Sequence, residues 1–177
     1  MNMYLRLLLL RLRRRRGGRL GIWDTARTSL RVGVADLDLL GHVNNGKYLT
    51  MMDLGRMDLM FRSGFWPKLR REGWYPVVAG QTISYRRSLK LGQRFDLRTR
   101  IIGMDERWFY VEQTFVIGET VYAHAIVRGR FLREEGGGVD VAEVAALAGG
   151  IPEDRRTPEW VERWTEASRP PRTYPQE

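Results

Sequence analysis

Residues Gly46 to Ser63 constrain the fold more than any other stretch of the chain. They read as one helix with Tyr48, Leu49, Met51, Met52, Leu54, Met57, Leu59, Met60 and Phe61 spread over most of its circumference. Only a narrow polar stripe remains, made of Lys47, Thr50, Asp53 and Asp58. A helix with one apolar face can lie on a surface, but one that is apolar nearly all round has to be enclosed. At 1.5 Å per residue it is about 27 Å long, which sets the length of whatever wraps it. Asp58 and Arg62 are ordered for an i,i+4 ion pair on this helix.

After Pro67 and Gly73 the apolar period changes from helical to two. Val77, Ala79, Gln81, Ile83 and Tyr85 share one face. Phe95, Leu97, Thr99 and Ile101 then alternate with Arg94, Asp96, Arg98 and Arg100. Phe109, Val111, Gln113 and Phe115 alternate with Trp108, Tyr110, Glu112 and Thr114. Ala123, Ala125, Val127, Gly129 and Phe131 alternate with Tyr122, His124, Arg128 and Arg130. Four long antiparallel strands with one buried face follow from this pattern, and Thr28 to Val34 can supply a fifth ahead of the helix. Gly118-Glu119 suits a two-residue hairpin with glycine first, and Met104-Asp105-Glu106 another tight turn. One curved antiparallel sheet wrapped around one long central helix buries both elements. That is an α+β architecture, the hotdog fold.

The chain of 177 residues suits one such domain, flanked by two compositionally different segments. Residues 1–20 form an apolar, then polybasic arm. Residues 21–135 hold the helix and strands. Residues 136–177 form a C-terminal extension with two short helices. The first is opened by Asp140, with Glu143 three residues on, and closed by Gly149-Gly150. The second has Thr157 as cap, Pro158 at its first position, and Trp160 and Trp164 on one face.

Net charge is +9, but residues 1–19 contain seven Arg and no acid, so the rest of the chain carries only +2. A nucleic-acid reading would rest on that arm alone and is set aside. With Leu7 to Leu10 followed by Arg13 to Arg16, residues 1–19 can instead lie weakly on an anionic membrane surface, or stay disordered. The early apolar run is too short for a signal-peptide core, and none approaches a membrane span, so a cytoplasmic protein, at most peripheral to a membrane, is expected. Absence of Cys excludes disulfides, thiolate metal sites and a Cys nucleophile. Two His, His42 and His124, exclude a His-rich metal site.

Chemistry concentrates between the first strand and the helix, in Asp36-Leu37-Asp38-Leu39-Leu40-Gly41-His42-Val43-Asn44-Asn45-Gly46-Lys47-Tyr48. The pattern D-x-D-x-x-G-H-V-N-N-x-x-Y, followed by a long helix and four strands, resembles the acyl-CoA and acyl-ACP thioesterases of the 4-hydroxybenzoyl-CoA thioesterase type. Within them it is similar to the thioesterase-like subgroup that includes thioesterase superfamily member 6. The resemblance runs from about Ser29 to Arg133 and leaves out both flanking segments.

That resemblance implies hydrolysis of an acyl-CoA or acyl-ACP thioester to a free acid and a thiol. The family's catalytic carboxylate falls on Asp38, which can attack the carbonyl or activate a water. Backbone N–H groups opening the helix at Asn45, Gly46 and Lys47 can receive the oxyanion, helped by the helix dipole, and Gly46 lets the thioester approach closely. In plant acyl-ACP thioesterases the corresponding segment offers an Asp, an Asn two residues later and a His two beyond that. Here these positions are Asp38, Leu40 and His42, so the triad does not carry over whole, and His42 is left as an orienting or proton-carrying group.

No cofactor is implied beyond coenzyme A as part of the substrate. A homodimer or tetramer is implied, since subunits of this family join their sheets and place each site between two chains. Arg86, Arg87, Arg128 and Arg130, near strand ends, can hold the phosphates of coenzyme A, although a solvated strand face explains them equally. Gln81 and Gln113, amides on apolar faces, can line a substrate channel.

Bland roles stand beside these. Asp36 or Asp38 reads as a turn residue closing the loop on its own backbone, Asn44 or Asn45 as a helix cap, and His42 as a turn residue bonded to the backbone. Tyr48, Met51 and Met52 read as core or acyl-pocket wall, and His124 as a surface or interface residue. Leu40 in place of the Asn also leaves open a non-catalytic protein that binds an acyl thioester or lipid on the same fold.

Overall fold

The computed structural model describes residues 18–171 and 173. Its strands are β1 (Ala26–Arg31), β2 (Trp74–Tyr85), β3 (Arg94–Met104), β4 (Phe109–Ile117) and β5 (Thr120–Arg133). Its helices are α1 (Asn45–Arg62), α2 (Phe65–Arg71), α3 (Val141–Leu147) and α4 (Glu159–Ala167). The strands form one curved antiparallel sheet in the order β1-β3-β4-β5-β2. It wraps α1, as the apolar circumference of that helix requires. Tyr48, Met51, Met52 and Leu59 of α1 are buried with Phe95 and Leu97 of β3, Val111 and Phe115 of β4, and Ala123, Ala125 and Val127 of β5.

The seat of α1 depends on a missing side chain. A Cβ on Gly55 would come within 2.7 Å of Leu97 Cδ2 and Thr99 Oγ1, and 2.9 Å of Gln113 Nε2. The helix therefore touches the sheet at backbone distance. Gln113, fully buried, fastens the contact: its amide donates to Met52 O (2.9 Å) and Thr99 Oγ1 (3.0 Å) and accepts from the Arg56 guanidinium (2.7 Å). Asp58 makes a second tie. It is buried, accepts from Thr28 Oγ1 of β1 at 2.8 Å, and makes the expected pair with Arg62 at 3.4 Å.

Several boundaries differ from the sequence reading. The first strand ends at Arg31, because Asp36 accepts from Gly33 N–H at 2.9 Å and draws residues 34–36 into a 3-10 turn. α1 starts one residue earlier, with Asn44 as its cap. α2 was hidden by Pro67, which sits in its first turn, where a missing N–H costs nothing. In β2 a bulge between Val78 and Gly80 breaks the alternation, so Ala79 and Gln81 lie exposed instead of on a buried face.

Val139 and Val144, beyond the last strand, join the main core. α4 lies on the outer face of the sheet, where Val161 and Trp164 cover Ile102, Tyr110 and Ile126. Trp160, expected to share that contact, is 45% exposed instead. α3 opens with the expected capping box of Asp140 and Glu143.

Candidate active site

The loop from Val34 to Asn44 is shaped by its own polar side chains. Asp36 is buried, and besides its bond to Gly33 it accepts Asn44 N–H on its backbone carbonyl at 2.9 Å, which makes it structural. Asp38 Oδ1 accepts from Leu40 N–H (2.9 Å) and His42 N–H (3.1 Å), while Asp38 N–H donates to His42 O (2.8 Å). One carboxylate oxygen thus closes the turn. The other, Oδ2, has no hydrogen bond among the described residues. Gly41, at φ +76°, makes the tight reversal between them. The His42 ring is half-buried and has no bonded partner among the described residues.

A second segment runs beside this loop. Val43 N–H donates to Leu89 O at 3.0 Å, and His42 pairs with Lys90 in an isolated bridge. Tyr48 is buried, its ring edge-on to Tyr85 and Phe115 at 5.0 Å, and its hydroxyl accepts from Leu89 N–H at 3.2 Å. Burial pushes its phenol pKa up, so the group is a neutral fastener of the loop. Lys90, the cation nearest His42 in backbone pairing, had no signal in the sequence beyond its charge.

The helix start offers fewer donors than its sequence suggests. Asn44 Oδ1 caps Gly46 N–H at 2.9 Å, and Asn44 O accepts Lys47 N–H at 2.8 Å. Of the three N–H groups, only that of Asn45 has no acceptor among the described residues. Both neighbours are taken because a good cap answers the need an oxyanion would otherwise meet.

An apolar cavity of about 150 Å³ lies between the later half of α1 and the sheet. Met57, Met60, Phe65, Ile101, Phe109 and Phe131 are among its walls, and Asp53 with Arg56 supplies its polar edge. Those two are ion-paired, and burial pulls the Arg56 pKa down against the opposing pull of Asp53. The sequence placed Asp53 on a polar stripe but gave no sign that the stripe borders a cavity. Asp53 is eight residues beyond Asn45, about 12 Å along the helix. Asp38 and the cavity therefore sit toward opposite ends of α1.

The four arginines do not converge. Arg86 and Arg87 are exposed where β2 ends, both donating main-chain N–H to Tyr122 O, close in sequence to the Leu89–Lys90 segment. Arg130 lies at the other end of β5, opposite Val77. Arg128 is buried under α4, its guanidinium donating to Thr165 O at 2.7 Å between the rings of Trp108 and Trp164. It fastens that helix and is closed to a phosphate. On the outer face of the sheet Glu112 bonds Arg100 (2.6 Å) and His124 (3.1 Å), and the hydrogen bond from His124, with that from Arg100, brings its pKa to about 2. His124 is thus a surface residue engaged with its strand neighbour. Among the described residues no group of three or more His, Asp or Glu is placed to hold a metal ion.

The family profile described as "Thioesterase-like superfamily" matches residues 32–165. Among curated proteins, Protein THEM6 of Xenopus laevis is 42% identical over 95 residues, covering 54% of this chain and 46% of that protein. The chain thus spans about half the length of the curated relatives it matches. Among solved structures, a probable thioesterase from Bartonella henselae superposes with TM-score 0.60 at 26% identity, over 66% of this chain and 98% of that one. YbaW, a probable thioesterase from Escherichia coli, superposes with TM-score 0.65 at 20% identity, over 68% of this chain and 94% of that one, a likeness of fold.

Proposed function

The chain belongs to the thioesterase-like superfamily, and on that premise we propose that it hydrolyses an acyl thioester of coenzyme A or acyl carrier protein to the free acid and the thiol. One observation carries the reading: among the described residues Asp38 is held by the loop through Oδ1 alone, leaving Oδ2 without a bonded partner there, just ahead of a helix N-terminus. A carboxylate so placed has a fixed direction and a free basic oxygen. As a general base it takes a proton from water while the water oxygen adds to the thioester carbon. The tetrahedral oxyanion falls to the Asn45 N–H and the positive end of α1. Collapse breaks the C–S bond, and the thiolate recovers the proton. As a nucleophile the same oxygen would add to the thioester carbon and expel the thiolate as the C–S bond breaks. Water would open the resulting anhydride to the free acid and the Asp38 carboxylate, a proton passing to the thiolate.

The apolar cavity beside Met57 and Met60 suits an acyl chain. Its separation from Asp38 along α1 favours a site completed by a second copy, as does β2, a long edge strand whose Val78 and Tyr85 are exposed. We therefore read the active form as a homodimer or a tetramer built from it, with Arg86 and Arg87 as the phosphate-binding pair for coenzyme A.

Turnover of a panel of acyl-CoAs by the wild type and by Asp38→Asn tests the reading. Asn keeps an oxygen to accept from Leu40 and His42, so the loop survives while the base is removed. Loss of about 10²–10⁴-fold is expected, and equal rates would remove Asp38 from the mechanism. A second reading has its own support. With Gly46 and Lys47 N–H already bonded and Leu40 in place of Asn, the fold suits an acyl-thioester or lipid binder without catalysis. A thermal shift with coenzyme A and no turnover over hours would favour it.

A further inference from the structure

The loop that carries Asp38 ends in side chains that nothing among the described residues covers. Leu39 is 105% exposed, Leu40 80%, Val34 76% and Leu91 54%. They belong to three backbone segments bonded to one another. Leu37 N–H donates to Val34 O, Leu37 pairs with Val43, His42 pairs with Lys90, and Gly92 N–H donates to Val32 O. The four side chains therefore occupy one end of the molecule. Their polar company is mostly basic: Arg31, Lys90 and Arg94 are exposed there, Asp36 is buried and Asp38 half-buried, and the neighbouring acid on β3, Asp96, is already bonded to Arg27 and Ser29. Arg31 and Arg94 are direct cross-strand neighbours, an arrangement that repels unless something anionic sits over both.

Full exposure of adjacent leucines describes protruding knobs, not the floor of a groove. A folded partner would need a pocket shaped for each knob. A bilayer needs none, because its interface is fluid and takes apolar tips ringed by cations. We propose that the end of the domain bearing Val34, Leu39, Leu40 and Leu91, with Arg31, Lys90 and Arg94 around it, is a docking surface for an anionic membrane. None of these residues belongs to the basic arm of residues 1–20. It puts the mouth of the Asp38 loop at the interface, where long-chain acyl thioesters collect.

Flotation of the full chain with vesicles of phosphatidylcholine and phosphatidylserine, against phosphatidylcholine alone, tests the proposal without reference to turnover, so failure of the hydrolase reading would leave it intact. Binding is expected to need the anionic lipid. Leu39→Ser with Leu40→Ser is expected to weaken it about tenfold or more, even if only part of each side chain enters the interface. Arg31→Gln with Arg94→Gln is expected to flatten its salt dependence. Circular dichroism melting verifies that both variants fold, and light scattering follows their association state. Unchanged flotation of the leucine variant, with loss only when Arg13 to Arg16 are replaced by Ser, would overturn the proposal in favour of the arm. Conversion of a wild-type dimer to monomers by the leucine changes would overturn it in favour of a contact between copies. Failure to float, with saturable binding to an acidic carrier protein, would overturn it in favour of a protein partner.

Discussion

Gly55→Ala sets two effects of opposite sign against each other on α1. In the middle of a helix, alanine is worth about 0.8–1 kcal/mol over glycine, so propensity alone predicts a more stable protein. The new methyl carbon, however, would stand 2.7 Å from Leu97 Cδ2 and Thr99 Oγ1 and 2.9 Å from Gln113 Nε2. None of the three neighbours can retreat freely. Leu97 and Thr99 are fully buried in β3, and Gln113 is held by Met52, Thr99 and Arg56. Overpacking of this kind costs about 1–3 kcal/mol, and detaching a buried amide from its partners about another 1–3 kcal/mol. The net expectation is destabilisation by about 3 kcal/mol, or about 6–12 °C in Tm for a chain of this size. Urea denaturation measures the first and calorimetry the second. A second substitution sharpens the test: Gln113→Ala opens space under residue 55, so the double variant should be less damaged than the sum of the single ones. A Gly55→Ala protein as stable as the wild type or more so would refute the close seating of α1.

Three further outcomes follow from other contacts. The lowered pKa of Glu112 means that its contribution to stability is full above the ordinary glutamate range and is lost as pH falls from there through about 2. Glu112→Gln should therefore be less stable than wild type at neutral pH, with the gap closing toward pH 2 in denaturation curves. Arg128→Ala removes the group clasped between Trp108 and Trp164 and bonded to Thr165 O, so α4 should loosen. Red-shifted tryptophan emission and faster proteolysis in residues 150–168 would register it. Tyr48→Phe leaves Leu89 N–H without its acceptor and should cost about 1–3 kcal/mol in chemical denaturation.

Periodicity made much of this fold legible. The apolar circumference of α1 and the period-two runs of β3, β4 and β5 need no long-range information, because each follows from one element meeting one core. What stayed hidden depended on the partner of a residue. Gln113 looks like a channel residue until Arg56, Met52 and Thr99 are seen around it, and Arg128 looks like a phosphate ligand until α4 is laid over it. In the candidate site, the types and spacing of Asp38, His42 and Asn45 were readable. Occupation of the Gly46 and Lys47 N–H groups was not, because one Asn can cap a helix or leave it open with the same letters. The Asp53–Arg56 edge of the cavity was unreadable for a similar reason: a polar stripe has no depth until the opposite wall is known.

The placing of α4 has a consequence for the birth of the protein. Ile102, Tyr110 and Ile126 leave the ribosome 35 to 59 residues ahead of Val161, which covers them. At about 5–20 residues per second, the outer face of the sheet is bare for a time on the order of seconds during synthesis. The strands must pair while one side of the sheet is still greasy and open to any neighbour. The stretch that seals it emerges only after every strand, so a chain cut short before Val161 is left as a sheet with its sticky side out.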